Sequence, residues 1–232
     1  RPRDEKHTWG WARSEVLAAA LQAGMLLVIC VMVAWEGAWR LASPPEVEAG
    51  PMLIVGIIGL VANVVSLAIL AGGREANLNM RAAFLEVAND ALGSLAVIVA
   101  AGAEWAFGWT RADAIASLLI AVLMAPRALT LLRRSVAILM EETPASVDMG
   151  ELRTHMMGVD GVLDVHDLHV VAVSSHLVTV TAHVTVTHEA DGPSRDRIIH
   201  ELGECACHHF PIAHSTFQLE CPEHASHEHM EH

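Results

Sequence analysis

The sequence predicts two bodies of different class: an α-helical membrane domain with four spanning helices over 1–140, then a small α+β domain over 141–221 that ends in a His-rich tail, 222–232. Two observations carry this reading. The chain is 53% hydrophobic, more than a soluble protein of its size needs. Its charge is also divided. Residues 1–140 hold 11 Lys and Arg against 11 Asp and Glu, whereas 141–232 hold 3 against 16, together with 14 of the 15 histidines. An acidic, His-rich surface attracts cations and repels nucleic acid, and no basic stripe with interleaved aromatics occurs, so nucleic-acid binding is excluded.

The four spans are expected near 16–41, 52–70, 82–103 and 112–132, each close to the roughly 20 apolar residues that cross a hydrocarbon core as helix. Pro44, Pro45 and Pro51 follow the first, AGGREANLN separates the second from the third, and FGWTR separates the third from the fourth. A buried helix of a soluble bundle would show a polar face, but MLIVGIIGLVANVVSLAIL offers only Asn63 and Ser66. Basic residues gather before the first span (Arg1, Arg3, Lys6, Arg13), in the second loop (Arg74, Arg81) and after the fourth (Arg133, Arg134). The other two loops contribute only Arg40 and Arg111. Both ends are therefore expected on the cytoplasmic side. The chain starts without Met in a polar stretch that reads as a loop between helices, so it is expected to be N-terminally incomplete. Four cysteines in that setting predict reduced thiols.

The acidic half predicts a helix at 146–157, a strand at 162–173, a second strand at 177–187 after the turn SSHL, a helix at 194–209 and a strand at 215–220. That order suits a two-layer α+β domain whose sheet carries ligands on one face.

Within the third span, FLEVANDALGS places Glu86 and Asp90 four residues apart, on one helical face and about 6 Å apart along the axis. Carboxylates within a membrane are costly and mark ion or proton paths by default. Asn63 and Asp113 carry a weaker signal: Asn63 suits a hydrogen bond between helices, and Asp113 suits the first turn of the fourth span.

DEKHTWGWARSEVLAA, NLNMRAAFLEVANDALGS, FGWTRADAIASLLIAVLM and GVDGVLDVHDLHVVAVSS, in that order along nearly the whole chain, resemble the cation diffusion facilitator family of divalent-metal transporters. The resemblance implies six transmembrane helices, of which this chain looks like the third to sixth, and a ferredoxin-like cytoplasmic domain. It also implies a homodimer in a bacterial inner membrane that exports Zn²⁺, or a related ion, in exchange for protons. The family's His-x-x-x-Asp pair falls on Glu86 and Asp90, so Glu86 replaces the usual His. An all-oxygen site leans towards harder ions such as Mn²⁺ or Mg²⁺. A loop site of some members falls on Asp4, His7 and Trp11, and tryptophan cannot ligate a metal.

In the acidic half the candidate ligands are His166, His169, His183, Asp196 and Glu220. Strand alternation puts Asp164 and His166 on one face of DVHDLHV, with Asp167 and His169 on the other, so the four cannot all meet one ion. The resemblance selects His166 and His183, with Asp196, Gln218 and Glu220 at further cytoplasmic metal positions; Gln218 stands where some members have His. CACHHF (Cys205, Cys207, His208, His209) is expected on a helix, where i and i+2 point apart, and is no Cys-x-x-Cys motif. The tail offers Cys221, His224, His227, His229 and His232. Two other functions compete with transport. A non-transporting metal-binding or regulatory fragment needs only the acidic half, and a membrane metalloenzyme needs a motif such as His-Glu-x-x-His, which the sequence lacks.

Overall fold

The computed structural model describes residues 4–43, 49–72, 78–187 and 192–225. Four long helices, α1 (Ala12–Ala42), α2 (Ala49–Ala71), α3 (Leu78–Phe107) and α4 (Ala112–Leu139), lead into an α+β domain. That domain runs α5 (Met149–Met157), β1 (Val162–Ser174), β2 (Leu177–Val186), α6 (Gly192–His209), β3 (His214–Glu220) and α7 (Pro222–Ala225). All four long helices have the length and apolar content to cross a membrane. They outrun the expected spans at most of their ends, because helical backbone continues for about a turn or less beyond the apolar stretch that hydropathy detects, and by about two turns at the end of α4. α5 starts later than expected, since Asp148 caps it: its Oδ1 accepts from the backbone N–H of Gly150 at 2.8 Å and of Glu151 at 3.0 Å.

The chain forms two compact units, 23–130 and the pair of segments 1–22 and 131–232. In the first, α2 lies against α3 through small residues. A Cβ added at Gly56 would come 2.9 Å from Ile98 Cγ1, and one at Gly59 would come 3.0 Å from Ser94 Oγ. Removing side chains at this seam lets backbones approach where lipid supplies no hydrophobic drive for association.

In the second unit a three-stranded sheet, order β1-β2-β3, pairs β1 with β2 antiparallel and β2 with β3 parallel. Leu152 and Met156 of α5 and Ile198 and Leu202 of α6 pack with Val165, Val170, Val180, Val184 and Val186 of the sheet, all buried. The helices thus cover the face to which the even-numbered positions of β2 point. Its odd-numbered positions, Thr179, Thr181, His183 and Thr185, occupy the other face. That second face presents the ligand candidates.

Candidate metal sites

The first candidate is the carboxylate pair of α3. Glu86 and Asp90 are both exposed on this helix. Glu86 makes an ion pair with Arg127 of α4. Asp90 is tied to the neighbouring helix through its backbone: Asn63 Nδ2 of α2 donates to Ser94 Oγ at 3.3 Å, and that hydroxyl donates to the Asp90 carbonyl at 3.1 Å. Asn63 therefore joins α2 to α3. Asp113, in the first turn of α4, accepts from Arg40 Nη1 at 2.8 Å, and Arg40 also pairs with Glu36. The arginine accounts for Asp113.

In the N-terminal turn, Asp4 Oδ1 accepts from the His7 backbone N–H at 2.7 Å and lies 2.9 Å from His7 Nδ1. This contact holds the exposed Asp4 carboxyl below the usual carboxylate range. The His7 ring stacks on Trp11 with centroids 4.4 Å apart. Two donors meet there, and the indole covers the imidazole.

On that second face of the sheet, three strands bring one ligand each. His166 of β1 pairs in register with His183 of β2, which pairs with Gln218 of β3; Glu220 lies two residues further along β3. His166 Nε2 is 3.4 Å from Glu220 Oε2, and His183 Nδ1 is 3.0 Å from Glu220 Oε1. One ligand atom from each of the three falls within 4.8 Å of the others. The Glu220 side chain is 1% exposed, and a carboxylate so desolvated costs several kcal/mol unless a positive charge answers it, roughly as for other buried ions. A protonated imidazole or a bound divalent cation would supply that charge. Gln218 Nε2 donates to Glu220 Oε1 at 2.6 Å, so it holds the carboxylate in place.

The expectation that strand alternation separates His166 from His169 is overturned by a β-bulge. Between them β1 spends three residues against two on β2, since His166 pairs with His183 and His169 with Thr181. The extra residue resets the alternation, and both histidines oppose odd-numbered residues of one face. Asp167 takes φ of 47°, a left-handed conformation that aspartate tolerates better than most residues. Its carboxylate reaches 2.9 Å from His169 Nε2 and 3.9 Å from His183 Nε2. The two pairs therefore form one connected polar strip.

Asp196 is exposed on α6 and stands outside this cluster. Cys221 and His224 also stand outside it; the His224 N–H donates to the Cys221 carbonyl at 3.0 Å at the start of α7. His227, His229 and His232 lie outside the described residues.

A second cluster joins two residues of CACHHF to a histidine that the sequence does not single out. His155 of α5 meets Cys205 and His209 of α6, with one ligand atom of each within 4.8 Å of the others. The only sequence signal was the i, i+4 spacing of Cys205 and His209. Burial pushes the Cys205 thiol up.

Residues 1–140 match the family model described as the cation efflux transmembrane domain, and 144–221 match the one described as the cation efflux protein cytoplasmic domain. Three curated proteins illustrate the similarity. The metal cation efflux system protein CzcD of Cupriavidus metallidurans is 36% identical over 95% of this chain and 69% of its own length. The zinc transporter ZitB of Escherichia coli is 39% identical over 95% of this chain and 70% of its own. A cadmium, cobalt and zinc/H⁺-K⁺ antiporter of Bacillus subtilis is 34% identical over 94% and 70%.

Proposed function

Because the chain belongs to the cation efflux family of membrane metal transporters, we propose that it exports a divalent cation, Zn²⁺ first, in exchange for protons. The observation that carries the reading is the Glu86 and Asp90 pair, two carboxylates on one face of a membrane-spanning helix. The same oxygens serve both ions. A carboxylate must lose its proton to bind metal, so protonation and metal occupancy exclude each other at the pair, and exchange follows from that competition. The similarity to a zinc transporter and to an antiporter that includes a proton in its name supports both parts of the proposal.

The division into a transport domain over 1–140, a metal-sensing and dimerising domain over 141–221 and a His-rich tail belongs to the same proposal. So do the homodimer, the surrounding lipid, and the placement of both ends in the cytoplasm of a bacterial cell. The cytoplasmic placement rests on the Lys and Arg that flank the spans. His166, His183 and Glu220, with Asp167 and Gln218 beside them, then form a cytoplasmic metal site. Asp4 and His7 form at most part of a loop site.

One observation favours a second reading of the ion. Glu86 gives an all-oxygen pair, which suits Mn²⁺ better than an imidazole would. Metal-driven proton flux in proteoliposomes, with Zn²⁺ and Mn²⁺ as separate substrates, tests both readings. Asp90→Ala should reduce flux at least about a hundredfold, the order expected for a transport ligand whose loss removes about 3 kcal/mol of binding. Flux that survives this substitution in folded protein would remove Asp90 from the path. A larger flux with Mn²⁺ than with Zn²⁺ would replace the first ion by the second.

A further inference from the structure

We propose that His155, Cys205 and His209 form a separate metal site on the helical side of the α+β domain, for a thiolate-seeking divalent ion such as Zn²⁺ or Cd²⁺. The donors come from two elements that pack against each other around the domain core. α5 contributes His155, one residue before the fully buried Met156, and α6 contributes Cys205 and His209 from one helical face, flanking the buried Ala206. Both helices are therefore held by their own packing before any ion arrives. That fixes the cluster in place.

The geometry is close to what coordination needs. Metal bonds of about 2.0–2.3 Å from nitrogen and sulfur place tetrahedral ligands about 3.5 Å apart. The present ligand atoms lie within 4.8 Å of one another, so rotamer adjustment of about 1 Å per side chain closes the set. The His155 and His209 rings are 5.1 Å apart between centroids and tilted by 55°, so they converge without being stacked flat. The Glu151 carboxylate, 4.0 Å from His155 Nε2, adds negative charge beside the imidazole. A cation is favoured there.

The donor set also sets the preference. Two imidazoles and a thiolate select Zn²⁺ and softer ions over Mn²⁺ or Mg²⁺, which prefer oxygen. Three protein ligands leave a fourth position for water, and His209 is exposed, so the ion would exchange with solvent. This distinguishes the site from the cluster of His166, His183 and Glu220, which has a carboxylate in place of the thiolate. The two lie on opposite faces of the same sheet. A metal here would clamp α5 to α6.

Cobalt(II) reports thiolate ligation directly through an intense sulfur-to-metal charge-transfer absorption that carboxylate and imidazole sites do not give. The full chain in detergent, carrying Cys207→Ser and Cys221→Ser, should show this band on titration with Co²⁺, and Zn²⁺ should bleach it. Cys205→Ser should abolish the band. His209→Ala, at an exposed position where folding is not at stake, should weaken apparent Co²⁺ affinity at least about tenfold, as loss of one of three ligands does. His166→Ala should leave the band unchanged. A chain without the band, a band that survives Cys205→Ser, or unchanged Co²⁺ affinity in His209→Ala would each overturn the proposal. None of these readouts depends on transport, so failure here leaves the proposed function untouched.

Discussion

Arg127 places a permanent positive charge against Glu86, one of the two carboxylates proposed to bind the transported ion. A guanidinium does not give up its proton under any ordinary condition, so it competes with metal for the carboxylate in a way that pH cannot relieve. Both side chains are about half exposed, with relative exposures of 42% and 55%, so the pair is worth only about 1 kcal/mol. That still corresponds to roughly fivefold in affinity. Arg127→Gln should therefore lower the KM for metal about fivefold in the proteoliposome assay, while Asp90 keeps transport going. An unchanged or raised KM would show that Arg127 positions Glu86 for the ion instead of opposing it. Neighbours matter as much as ligands here, because α4 supplies Arg127 to Glu86 while Ser94 and Asn63 anchor the backbone of Asp90.

At the scale of elements, the β1 bulge decides which histidines share a face. Asp167 sits at φ of 47°, where a β-branched residue is strained by about 1–2 kcal/mol and glycine is not. Asp167→Val should thus lower unfolding stability of the α+β domain by about that amount, and Asp167→Gly should cost less. Denaturant unfolding followed by far-ultraviolet circular dichroism would compare them; equal losses would mean that the carboxylate contacts, not the backbone, maintain the bulge. The same element shows where sequence reading stops. The four spans were legible because lipid demands about 20 predominantly apolar residues in a row, and the helix, strand, strand, helix, strand order was legible because Val alternates with polar residues along β2. A bulge adds one residue and leaves no mark in composition, so the alternation applied to DVHDLHV failed at Asp167. Likewise His155 and Cys205 lie 50 residues apart on separate helices. Only packing of α5 beside α6 brings them together.

At the scale of the whole molecule, charge governs association. Residues 141–232 carry 16 acidic against 3 basic side chains, a formal charge of −13 with His neutral, so two such domains repel when they approach in the proposed homodimer. Bound divalent cations reduce that repulsion, and anything that binds the paired state better than the separated one stabilises it by mass action. The buried Glu220 carboxylate between His166 and His183 is one place where such a cation would be held. Metal should therefore tighten the pair of domains near neutrality, and this effect of metal should weaken in acid, because protons compete with metal for imidazole and carboxylate donors and themselves reduce the repulsion that metal would otherwise offset. Spin labels on the α+β domain of the full chain, measured between protomers in detergent with and without Zn²⁺ at about pH 7.5 and about pH 5.5, would follow both effects. The distance distribution should shorten and narrow with Zn²⁺ near neutrality, and this response should shrink in acid. In His183→Ala the neutral response should also shrink, since one of the three converging donors is gone. Identical distributions in all conditions would make the domain a passive clamp, whose association is set by apolar surface instead of by the metal it holds.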